Sequence, residues 1–200
     1  MVAPETLVYG SLQLYTAAGG TARPAQVTTA PGGSYTLLGS GGLGDQAPGG
    51  LKVGHPIATS IWRGEGSAPR AVALTEEDLI IEVMIAELTA ANYAMALQGK
   101  SVTTVSASSG VPGSKGFDFY RGPGKITPVA LLIRGSNSPE FAGGVIEYYV
   151  PYAVQEANLE PTFNKTDPTQ LSFMFRAVED PSSPSTDRIG QLRIQTAAAL

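Results

Sequence analysis

Apolar residues along this chain recur mostly with a period of two. From residue 51 to 63, Leu51, Val53, Ile57 and Ile61 fall on one parity while Lys52, Ala58 and Ser60 fall on the other, which predicts a two-faced strand. Residues 70–87 read as a second long strand, because Leu79, Ile81, Val83 and Ile85 alternate with Ile80, Glu82, Met84 and Ala86. Both of its faces have apolar character. The stretch GEGSAP at 64–69 is the turn between the two. Nearer the start, residues 6–16 carry Leu7, Tyr9, Leu12, Leu14 and Tyr15, a β-prone set interrupted by Gly10, and residues 34–38 read as a short strand that stops at Gly39. Further strands are expected at 117–121, 126–134, 145–153, 171–178 and 189–194, separated by turn-forming stretches such as GVPGSKG, GSNSPEFAGG and EDPSSPSTD.

Residues 89–98, TAANYAMALQ, break this pattern. They are good helix formers, Gly99 follows as a stop, and Ala91 with Met95 and Ala94 with Leu97 share faces at spacings of four and three. A helix this short needs a sheet to pack on. Many short strands with one helix, no linker and no internal repeat predict a single mainly β domain over 1–200. The expected architecture is two packed antiparallel sheets, a sandwich or partial barrel, with one flanking α-helix and flexible loops near 39–50, 64–69 and 108–116.

Composition sharpens this picture. Only 15% of residues are charged, against about 25% in an ordinary globular domain, while 24 glycines and 15 prolines make the chain rich in loops. Disorder is excluded, because the aliphatic runs are dense and the net charge is only -4. A folded chain with so little charge hides surface, and packing against copies of itself is one way to do so. With no cysteine, disulfides, thiolate metal sites and cysteine nucleophiles are excluded. The first residues, MVAPETLVYG, do not read as an export signal and no run of about 20 apolar residues occurs, so synthesis in the cytoplasm without membrane insertion is expected. Arg63 with Arg70 and Lys100 with Lys115 are isolated charges, unlike the clustered cations that bind a phosphate backbone.

Candidate chemistry is sparse. His55 is the only histidine and stands between Gly54 and Pro56, a setting for packing or surface exposure rather than for a triad or a metal site. The run Glu76, Glu77, Asp78 lacks the ligand spacing of a calcium loop and reads as a charged strand end or turn. Neither Gly-rich segment, 39–50 nor 110–116, has the GxxxxGK pattern of a phosphate loop. Tyr148, Tyr149 and Tyr152 with Phe173 and Phe175 admit two readings, a ligand platform or, more in keeping with strand aromatics, core and interface packing. Trp62 beside a Gly-rich turn suits an interface anchor. No acid, base and nucleophile converge, so neither catalysis nor a cofactor is expected.

The central block resembles the tail tube proteins of long-tailed bacteriophages and phage-like gene transfer agents. The resemblance runs from YTLLG at 35–39 through GGLKVGHPIATSIWRGEGSAPRAV to LTEEDLIIEVMIAELTAANYAMALQG, ending at residue 99, and includes a strand that runs into the Glu-Leu-Thr-x-x-Asn helix of Glu87 to Asn92. A smaller echo, FMFRAVEDPSSPSTDRIGQLRI at 173–194, is similar to that family's closing strand, acidic turn and last strand. Together they cover a little under half of the chain. The resemblance implies a virion protein of six-fold rings stacked into a hollow tail tube, with strands of all subunits joined in a continuous inner barrel. Its partners would be copies of itself, the tail terminator and tail tip proteins, and the tape measure protein during assembly, with DNA only as passing cargo. Gly41, Leu43, Asp45 and Gln46 of the long loop, with Trp62, Arg63 and Glu65 around the 64–69 turn, are then the expected contacts between subunits or rings. Lys52, Ser60 and Glu82, opposite the apolar parity, are the expected lumen-facing residues. Other roles that suit the same composition are a tail terminator or capsid decoration protein, or a ligand-binding β-sandwich that uses the three tyrosines.

Overall fold

The structure, a computed structural model, describes residues 12–39, 46–63, 65, 68–97, 101–119, 126–136, 144–156, 158–163, 165–166, 168–180, 182 and 188–197. In chain order these form β1 (Gln13–Ala18), β2 (Thr36–Leu37), β3 (Gln46–Gly54), β4 (Ile57–Arg63), β5 (Pro69–Glu77), β6 (Ile80–Ile85), α1 (Ala90–Ala96), β7 (Thr103–Val105), β8 (Ser114–Gly116), β9 (Val129–Ser136), β10 (Val145–Gln155), β11 (Leu171–Ala177) and β12 (Gln191–Ile194). The protein is mainly β, and every strand pairing is antiparallel.

Eight strands form one sheet in the order β2-β1-β9-β10-β11-β6-β3, with β12 also paired to β10, while β4-β5 and β7-β8 are separate two-stranded ribbons. One core cluster joins Leu14 of β1 and Ile133 of β9 to Val83 of β6 and Phe173 of β11. Residues so far apart in the strand order meet only if the sheet curls, so its two halves face one another as the layers of a sandwich. The bend is built into β10, whose pairing with β9 shifts register between Val150 and Ala153. Pro151 stands there, where a bulge needs no amide donor.

Alternation sets the burial. In β6 the side chains of Ile81, Val83 and Ile85 are buried and Met84 is exposed; in β11 Leu171, Phe173 and Phe175 are buried, the two rings stacked at 5.8 Å. Helix α1 starts at the Thr89 cap, whose hydroxyl accepts the Asn92 amide at 3.1 Å. It packs on β11, burying Ala94 and Ala96, with Tyr93 and Met95 against the core.

The structure corrects several sequence expectations. Residues 46–50, expected in a flexible loop, belong to β3. The continuous strand expected over 51–63 is broken at His55 and Pro56, and that over 70–87 is broken at Asp78 and Leu79. Proline has no amide for the ladder, and its carbonyl accepts the Asp78 amide at 3.0 Å, so both long strands bend at one place. Consequently Ile57 and Ile61 do not continue the core face of Leu51 and Val53; they are 62% and 50% exposed. No strand forms over 117–119: Phe117 and Phe119 cluster instead with Tyr93 at ring separations of 5.5 to 6.0 Å. The preceding 114–116, expected as loop, is β8. Residues 6–11 and Gly99 lie outside the described residues.

Candidate functional site

The feature least explained by folding of a single chain is the ribbon β4-β5. Its register pairs Ile57 with Glu77, Thr59 with Leu74, Ile61 with Val72, and Trp62 with Ala71. Directly paired residues point to the same side of a ribbon, so Ile57, Ile61, Val72 and Leu74 share one face and Ala58, Ser60, Ala71 and Ala73 share the other. All four aliphatic residues are half exposed or more, and Trp62 near the tip is 60% exposed. The ribbon is an arm: its strands contact each other and make no comparable contact with any other element. An isolated two-stranded ribbon is marginal in water, and this one spreads an aliphatic face of roughly 400 Å², comparable to the largest exposed patch of a typical monomer, which is often functional.

The arm leaves the body beside an ion-pair row. His55 Nε2 lies 2.9 Å from Glu77 Oε1 at the root of the arm, and Arg176 ties Asp78 to Glu156, which it reaches at 2.8 Å. The acidic run at 76–78 is therefore the end of a strand and its turn, with Glu77 beside the His55 ring and Asp78 held by the Arg176 guanidinium. One row into the sheet, Lys52 of β3 is paired directly with Glu82 of β6, Nζ to Oε2 at 3.1 Å. Lys52 and Glu82 thus share one face as expected, but Ser60 is on the arm and not with them. The outer edge of β3 carries no paired strand among the described residues.

Of the expected contact residues, Trp62, Arg63 and Glu65 are exposed around the arm's tip. Gly41, Leu43 and Asp45 lie outside the described residues, and Gln46 begins β3. The three tyrosines do not form one platform. Tyr148 packs toward the core cluster, Tyr149 donates to the Thr21 carbonyl at 2.9 Å, and Tyr152 stands against Gly20.

Sequence reasoning missed the buried charge cluster that fixes this side of the sheet. The ladder aligns Arg134 of β9, Glu147 of β10 and Arg193 of β12 in one row. Glu147 is fully buried, and its two oxygens take one arginine each: Arg134 Nε at 2.6 Å and Arg193 Nε at 2.8 Å. The Nη2 groups of both arginines also meet Glu147, and the Nη1 and Nη2 groups bond backbone carbonyls of a strap, residues 19–35, that covers this face: Arg193 reaches Pro24 at 2.8 Å and Ala25 at 3.0 Å, and Arg134 reaches Gln26 and Thr29. Tyr35 and Tyr149 both donate to the Thr21 carbonyl. Burial pushes the Tyr35 phenol well above its ordinary range and raises that of Tyr149, with nearby negative groups adding to the effect. The only advance signal was a single charge set in each of two apolar runs, Arg134 in 129–134 and Glu147 in 145–150, which does not reveal cross-strand register.

Between the arm root and β12 lies an open cleft of about 820 Å³. It exists because β10 gives its first half to β12 and its last half to β11, which lets these two strands diverge. Among the described residues no helix is long and apolar enough to cross a membrane. No protein-family model matches the chain, and a comparison with curated proteins finds no relative.

Proposed function

We propose that this chain is a structural subunit that assembles with copies of itself, and that the assembly is the tail tube of a long-tailed bacteriophage or phage-like particle. The observation that carries the self-assembly is the arm: four aliphatic residues on one face of a ribbon that its own core does not cover. At about 25 cal/mol per Å², covering that face contributes roughly 10 kcal/mol before the costs of association, which are of the same order. A repeating assembly meets those costs by making the contact at every subunit. The edge of β3, which has no paired strand among the described residues, supports the same reading, since an open edge is a template for another strand.

The tube itself is supported by the sequence resemblance described above, with stacked six-fold rings as the expected form. In such a tube the Lys52–Glu82 face lines the lumen, and each cation there has its own carboxylate. A wall whose charges cancel lets a polyanion pass without holding it. Mass photometry and negative-stain microscopy of concentrated protein test the proposal: rings or tubes are expected. The double variant Ile61→Asp, Val72→Asp is expected to remain a folded monomer, because both residues are exposed in the subunit. A parent protein that stays monomeric at every concentration refutes the reading.

A further inference from the structure

We propose that Arg176 is the positioning residue of the arm: by tying Asp78 at the arm root to Glu156 on the body, it holds the arm at one angle to the sheet. The inference deepens the self-assembly reading and rests on it for what the fixed angle serves.

The root is built as a hinge. The last pair of the base, Gly54 with Ile80, and the first pair of the arm, Ile57 with Glu77, are joined through His55 and Pro56 on one strand and through Asp78 and Leu79 on the other. The Asp78 amide bonds the Pro56 carbonyl across these links at 3.0 Å. The backbone grip of the body reaches Leu79, whose carbonyl accepts the Ala177 amide at 2.9 Å. Behind the root the cleft is open, with His55, Glu77 and Asp78 in its wall, so close packing does not brace the arm from that side. A few residues at the ends of elements that absorb a change of backbone angle are what a hinge requires. Ala71 lies about 20 Å along β5 from Glu77 at the rise of a β-strand, so a turn of about 10° at the root moves it by roughly 3–4 Å. An aliphatic face that must meet a neighbour therefore depends on a stiff root.

Arg176 supplies that stiffness. It stands on β11 opposite Ile80 of β6 and Val154 of β10, so its backbone belongs to the middle of the sheet. Its Nη1 donates to Asp78 and its Nε to Glu156 at 2.8 Å. Glu156 is fixed in turn, because its amide bonds the Met174 carbonyl at 2.8 Å. A guanidinium is a rigid fork, and one that joins the root to two body strands sets direction as well as distance. The His55–Glu77 contact joins two residues of the hairpin itself and does not tie the root to the body. The side chains of Arg176, Asp78 and Glu156 are 35%, 40% and 38% exposed. Ion pairs this open add little to global stability, so what they give the molecule is the angle of the arm.

The absence of cysteine makes the angle measurable. Nitroxide labels are placed at Ala71→Cys on the arm and Gln13→Cys on β1, both exposed, and the labelled chain is checked for folding by circular dichroism. Pulsed electron resonance at a concentration below assembly should give one narrow distance in the parent. With Arg176→Gln added, the distribution should widen about two-fold or more while the urea midpoint stays that of the parent. Arg176→Lys, a point charge that meets one carboxylate at a time, should fall between the two. Because a contact-ready arm is then a smaller fraction of the population, Arg176→Gln should also weaken self-association about five-fold by mass photometry. Equal widths in the parent and Arg176→Gln overturn the inference and leave the self-assembly reading standing. A widened distribution accompanied by a lower urea midpoint overturns it as well, since Arg176 then supports the fold at large. A widened distribution at an unchanged midpoint, in a chain whose parent never assembles, upholds the positioning role and overturns the self-assembly reading.

Discussion

Replacing Glu147 by Gln removes the one negative charge from a row of three buried or half-buried charges and keeps its shape. The carboxylate is fully buried, whereas the side chains of Arg134 and Arg193 are 9% and 21% exposed. The variant therefore leaves two guanidiniums facing each other across a neutral amide, with only Arg193 able to draw on solvent. Removing one partner from a buried ion pair costs about 3–5 kcal/mol, and partial solvation of Arg193 places the expectation near the lower end, about 3 kcal/mol. Native domains hold roughly 5–15 kcal/mol in total, so Glu147→Gln should fold but be strongly weakened. For a chain of this size each kcal/mol shifts the melting temperature by about 2–4 °C, and a drop of roughly 6–12 °C is expected.

A second variant combines a smaller charge effect with the loss of strap bonds. Arg193→Met leaves the Arg134–Glu147 pair intact but removes the second cation of Glu147 together with the donors to the carbonyls of Pro24 and Ala25. It should cost about 2 kcal/mol, less than Glu147→Gln, and its loss should be concentrated in the strap, read as faster amide exchange over residues 21–30. Urea unfolding at a concentration below assembly measures the first quantity and hydrogen exchange the second. If Glu147→Gln lies within about 1 kcal/mol of the parent, the row is solvated or unpaired in solution, and the account of the strap as held by buried charge is wrong.

Two further predictions concern the same face. Gly20→Ala should destabilise by about 2–4 kcal/mol, because Gly20 has φ +78° and an added Cβ would overlap the Tyr152 hydroxyl; an unchanged urea midpoint would place the strap differently. Tyr35 and Tyr149 are raised in the folded state, so their contribution is intact below about pH 10, the unfolded phenol value, and is lost as pH rises above it, when the unfolded chain releases protons that the folded one keeps. Comparing ultraviolet titrations of the parent and Tyr35→Phe should place the Tyr35 ionisation above pH 10, and a Tyr35 that ionises near pH 10 in the folded protein contradicts the burial.

The fold class was legible because period-two alternation reports burial directly: Ile81, Val83 and Ile85 were placed correctly from spacing alone, as was the helix from Thr89. What spacing cannot report is where a strand stops serving the core. Leu51, Val53, Ile57 and Ile61 share one parity, but a bend at His55 and Pro56 sends the second pair away from the body. Register was equally hidden. Nothing local to Arg134, Glu147 or Arg193 says that three strands will align them, since 46 residues separate Glu147 from Arg193. The Lys52–Glu82 pair was legible only as two opposite charges off the apolar parity, and the ladder supplied the contact.

The bend also accounts for why the arm carries an apolar pattern at all. Strands β3 and β4 are one sequence run broken at His55 and Pro56, β5 and β6 are another broken at Asp78 and Leu79, and the Asp78 amide bonds the Pro56 carbonyl across the two breaks. The four strands thus form one long hairpin, with its base half, β3 and β6, in the sheet and its far half, β4 and β5, outside it. A far half that met only water would be expected to lose its aliphatic residues, because exposed apolar ribbons invite uncontrolled association. Here the arm keeps four Ile, Leu and Val residues among its 16, against six among the 15 of the base. The same alternation that builds a core in the first half is retained in the second, as the proposed self-assembly requires of a strand pair whose second core is completed by a neighbour.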